Sequence, residues 1–64
     1  MRRSKFEQAL RANFPGKQNA TLRALFREQA RTTGTIDTSR IGLTYRGRAG
    51  AEEMKQILKQ EATP

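Results

Sequence analysis

Sixty-four residues, with thirteen Lys or Arg against six Asp or Glu, make one small domain (1–64) carrying +7. There is no cysteine and no histidine, so disulfides, thiol nucleophiles, imidazole bases and the usual zinc ligands are all excluded. Neither a metal nor a cofactor is expected, and an enzyme is not expected.

A chain this short buries only about 60% of the surface that its unfolded form exposes, so the core must be thin. Nine of the thirteen cations are Arg, whose planar guanidinium makes the bidentate contacts to phosphate that an ammonium cannot. The charge is uneven. Residues 1–48 hold eleven basic and three acidic side chains, a balance of +8, while residues 49–64 hold two and three, a balance of −1. An anion-binding surface is therefore expected in the first three quarters. No apolar run approaches a membrane span, and MRRSKFEQ lacks the apolar core of a signal peptide, so no membrane partner and a cytoplasmic location are expected.

In chain order, Ser4-Lys5-Phe6-Glu7 fits a capping box, and Phe6, Ala9, Leu10, Asn13 and Phe14 share one side of a first helix. Pro15 ends that helix near Asn13. Asn19 or Thr21 is placed to cap a second helix that runs through Arg31 or Thr32, and Gly34 is its natural stop. Leu22, Leu25, Phe26, Gln29 and Ala30 lie on one side of it. Arg23, Arg27 and Arg31, spaced i, i+4, i+8, form a stripe beside them.

From Arg40 to Arg46 the period changes. Ile41, Leu43 and Tyr45 alternate with Arg40, Gly42, Thr44 and Arg46, which predicts a strand paired with Thr35 to Asp37 or with a second copy of the chain. Gly47 to Gly50 is a turn on this reading. Ala51, Met54, Ile57 and Leu58 then form the apolar side of a third helix. Residues 1–3 and 61–64 are expected to fray. The expected fold is mainly α: three short helices with one strand or hairpin between the second and third (α-α-β-α), an order compatible with a trimmed winged-helix domain. The thin core and lone strand favour a homodimer over a monomer.

The arginine stripe is the best functional signal, because only Glu28 offsets it on its own helix and Arg40, Arg46 and Arg48 add charge just beyond. Those six arginines are the candidate nucleic-acid-binding residues, and no catalytic, cofactor-binding or metal-binding residue is named. Phe6, Phe14, Phe26 and Tyr45 all fall on predicted apolar faces. That disfavours single-strand binding, which wants aromatics exposed within a basic surface. The expectation is a small DNA-binding accessory or regulatory factor, with DNA favoured over RNA. Its rival is a protein-binding module or inhibitor that docks on an acidic surface of a larger protein, by adding a strand to an open edge.

Overall fold

The computed structural model describes residues 4–62, and these form three helices: α1 (Lys5–Asn13), α2 (Ala20–Thr33) and α3 (Tyr45–Ala62). A single 3-10 turn, Lys17–Asn19, leads into α2. Of the ends expected to fray, 1–3 and 61–64, residues 1–3 and 63–64 lie outside the described residues, whereas Glu61 and Ala62 belong to α3.

Local chemistry sets the ends of α1 and α2. Ser4 sits in extended backbone, and its hydroxyl accepts from the Glu7 amide at 3.1 Å, which is the N-cap bond of α1. A second acceptor reaches the same turn from far away in sequence: the Glu61 carboxylate, near the end of α3, accepts from the Phe6 amide at 3.1 Å. Two amides left open by the start of α1 are thereby satisfied. Phe14 closes α1 and donates its backbone N–H to Leu10. Asn19 holds the N-cap position of α2, but its side chain turns back to the Pro15 carbonyl instead of capping. Gly34, at φ 78°, takes the left-handed conformation that ends α2.

No strand forms among the described residues, so the expected α-α-β-α order, and the winged-helix comparison with it, give way to helix-helix-helix. The alternation that suggested a strand is partly real: Ile41 and Leu43 are half-buried, whereas Gly42 and Thr44 are exposed. It belongs to an extended connector laid over the core. Thr44 stops it by capping: its Oγ1 accepts from the Gly47 amide at 3.0 Å, and its carbonyl accepts from the Arg48 amide at 2.9 Å. Helix α3 therefore begins at Tyr45, not at Ala51, and absorbs the predicted turn at Gly47 to Gly50.

At Asp37 the connector's backbone is paired by a side chain. Gln29 Nε2 donates to the Asp37 carbonyl at 3.1 Å, and Gln29 Oε1 accepts from the Asp37 amide at 3.0 Å. This is the pairing that a neighbouring strand would supply, provided by one residue of α2. Because no strand forms among the described residues, the lone strand that argued for a homodimer is not present.

The core holds Phe6 and Leu10 from α1, Phe14 at its C-cap, Phe26 from α2, Ile36 from the connector, and Ala51 and Met54 from α3. The rings of Phe14 and Phe26 lie 5.3 Å apart at 57°, a favourable tilted aromatic pair. Helix α3 crosses α1 closely at Gly50, where an added Cβ would stand 2.9 Å from Asn13 side-chain atoms. Glycine inside a helix costs about 1 kcal/mol relative to alanine. Here its missing side chain is what permits the approach.

Candidate nucleic-acid interface

The internal ion pairs separate the cations that build the fold from those that remain for a partner. All six carboxylates are engaged within the chain. Glu7 accepts from Arg11 and Arg27, Glu28 from Arg31, and Glu53 from the Asn13 amide group. Asp37 accepts from the Ser39 amide, Glu61 from the Phe6 amide, and Glu52 pairs with Lys55.

The stripe on α2 is taken up largely by internal contacts. Arg23 donates through Nη1 to the carbonyls of Phe14 and Gly16, both at 2.7 Å, and so clamps the turn between α1 and α2. Arg27 reaches back to α1 and grips both Glu7 oxygens, with contacts of 3.1, 3.0 and 2.6 Å. The hydrogen bonds from Arg27, with Arg11 adding to them, hold the Glu7 carboxyl below its ordinary range, and Glu7 in turn raises Arg27. Arg31 pairs with Glu28 one turn back along α2 in a solvated contact. The stripe thus exists as spaced, but two of its three members tie α2 to α1 and to the turn.

Arg40, Arg46 and Arg48 are placed differently. All three are exposed, and none of their side chains makes a hydrogen bond or ion pair among the described residues. Arg40 lies near the Asp37 charge, whose carboxyl is lowered first by the Ser39 amide and only weakly by Arg40. Arg46 and Arg48 stand in the first turn of α3, which contains no acidic residue. That is the positive end of an 18-residue helix dipole. Glu52 and Glu53 fall about two turns further along, because α3 starts at Tyr45.

Tyr45 changes the character of this end. Placed on an apolar face by the predicted strand, it is 92% exposed at the first position of α3. The i, i+3 spacing puts Arg48 on the same side of the helix, with Arg46 beside it. Next to Arg46 runs an open groove of about 300 Å³ between the α1–α2 turn and the start of α3, floored by Phe14, Leu22 and Leu43. The period-2 pattern hid this tyrosine. The signal that would have found it is Thr44, a good N-cap residue standing just before it.

No cluster of acidic side chains able to hold a metal occurs among the described residues. None of their helices is long and apolar enough to cross a membrane. No protein-family model matches the chain, and no curated protein or solved structure shows a significant match to it.

Proposed function

We propose that the chain binds nucleic acid, as a small DNA-binding accessory or regulatory factor, through the exposed arginines around the start of α3. One observation carries this: every carboxylate is used inside the fold, whereas Arg46 and Arg48 stand exposed and unpaired at a helix end that has no acid in its first turn. Phosphate contacts of this kind supply affinity and orientation, not sequence discrimination. Arg31 is paired with Glu28 in the last turn of α2 and Arg40 lies beside Asp37, so neither is assigned to this surface. Arg23 and Arg27 are given over to the contacts of α2 with α1 and the turn before it. The rival, docking on an acidic protein by strand addition, has no strand to extend among the described residues.

The test is a salt titration of binding to labelled DNA with the wild type and with Arg46→Gln plus Arg48→Gln. For every phosphate that the variant no longer neutralises, the slope of log K against log salt should become shallower by about 0.9 on a duplex. Lys55→Gln should change little, because Lys55 is already paired with Glu52. Unchanged affinity and slope in the double arginine variant would remove these residues from the interface. A single protein captured equally from nuclease-treated and untreated lysates would favour the rival.

A further inference from the structure

We infer that Tyr45 is a stacking platform for an unpaired base, so that the preferred ligand is a single-stranded or locally opened segment of nucleic acid. The inference rests on the nucleic-acid binding proposed above and names its substrate class. Three observations converge on it. Tyr45 is the chain's single tyrosine, there is no tryptophan, and the three phenylalanines are all buried in the core. Tyr45 alone among the aromatics is turned outward, 92% exposed, at a place where no packing in the fold calls for a ring. It is also flanked by exposed guanidinium groups, Arg46 next in the chain and Arg48 one turn along its own face.

An exposed ring beside cations that lack internal partners is the arrangement by which proteins hold single strands. The aromatic face takes a base, which every base can provide, while the basic groups follow the phosphates. A base in a closed duplex offers no free face to a ring standing out from a helix end. Duplex contacts would use Arg46 and Arg48 and leave Tyr45 idle. The distinction is therefore one of ligand form, readable by substitution at one residue.

Binding of a labelled single-stranded DNA and of a hairpin duplex would be measured by fluorescence anisotropy with the wild type, Tyr45→Ala, Tyr45→Phe and Tyr45→Trp. Because the ring packs on nothing in the fold, each variant should retain the wild-type circular dichroism. The wild type should prefer the single strand. Tyr45→Ala should weaken single-strand binding by roughly five- to a hundredfold, the range for losing one stacked base, and leave duplex binding unchanged. Tyr45→Phe should restore the affinity, since stacking needs the ring and not the hydroxyl. The Tyr45→Trp variant holds one tryptophan, and its emission should be quenched by the single strand and not by the duplex.

Unchanged single-strand affinity in Tyr45→Ala, equal losses on both ligands, or an unquenched Tyr45→Trp variant would each overturn the inference while leaving phosphate binding intact. Dissociation of a wild-type dimer by Tyr45→Ala, with unchanged affinity for the single strand, would assign the ring to a second copy and overturn it as well. Failure of the wild type to bind either ligand would instead overturn the nucleic-acid reading itself.

Discussion

Gln29 and Asp37 form a two-point clasp: one side-chain amide satisfies both the N–H and the C=O of a residue eight positions away. Its effect is to hold the connector that carries Ile36 into the core. Replacing Gln29 by Ala removes both bonds at once. Since Asp37 is exposed and water can take their place, the expected loss is about 1 kcal/mol or less of global stability. The local effect should be larger. Exchange of the Asp37 amide proton, followed by NMR, should accelerate well beyond that of the α2 amides; equal protection would show that the clasp holds nothing.

The pair Glu7–Arg27 predicts an acid limb of stability. The Glu7 carboxyl is lowered in the folded chain, first by the Arg27 hydrogen bonds. A lowered folded value means that the stabilisation is fully present above the ordinary glutamate value near 4.5 and is lost as pH falls through the folded one. Melting temperature should therefore be flat near neutrality and drop below about pH 4.5. Glu7→Gln should cost on the order of 1 kcal/mol at neutral pH and make that drop shallower. An identical acid limb in wild type and variant would place the sensitivity elsewhere, with Asp37 the next group lowered by folding.

Gly50 should resist substitution far more than Gly42. At Gly50 a methyl group would meet Asn13, which is itself held by the Ala9 carbonyl and by Glu53, so α1 and α3 must separate. The expected cost of Gly50→Ala is about 1–3 kcal/mol, despite the gain in helix propensity. At Gly42 the added methyl meets open space, and the backbone is not in the left-handed region. Gly42→Ala should be neutral, or stabilising by about 0.4–1 kcal/mol through the unfolded chain. Thermal melts of the two variants decide it, and equal melting temperatures would refute the close crossing.

Much of α1 and α2 is legible in the sequence because their limits are written in short-range chemistry: Ser4 with its bond to Glu7, Pro15, and Gly34. The start of α3 is not, because Ile41 and Leu43 alternate correctly for a strand and Gly47 and Gly50 look like a turn. What overrules them is tertiary. A glycine poor for a helix is kept where two helices cross, and a side chain from α2 holds the connector at Asp37. The candidate site divides in the same way. The spacing of Arg23, Arg27 and Arg31 is visible in the sequence, but Glu7, Phe14 and Gly16, which engage two of them, come from outside α2. Spacing alone does not distinguish an arginine that awaits a partner from one that already has it.

Ser4 and Glu61 serve adjacent amides of one turn, so their removal should not be independent. Ser4→Ala and Glu61→Ala should each cost about 0.5–2 kcal/mol. Because both leave the same helix start to fray, the double variant should lose less than the sum of the two. Denaturant titrations of the three variants give the coupling directly; strict additivity would mean that Glu61 stabilises something other than α1.

The bond from Phe6 to Glu61 spans 55 positions, and it has a kinetic consequence. In most helical proteins of this size, neighbours in sequence pack first and folding is very fast. Here α1 finds its principal partner in α3, across nearly the whole chain, so an encounter between distant segments must precede much of the stabilisation from burying Phe6 and Leu10. Closing a long loop adds an entropic barrier that a hairpin of adjacent helices avoids. The chain should accordingly fold more slowly than its helix content suggests, closer to mixed domains dominated by long-range contacts than to simple bundles.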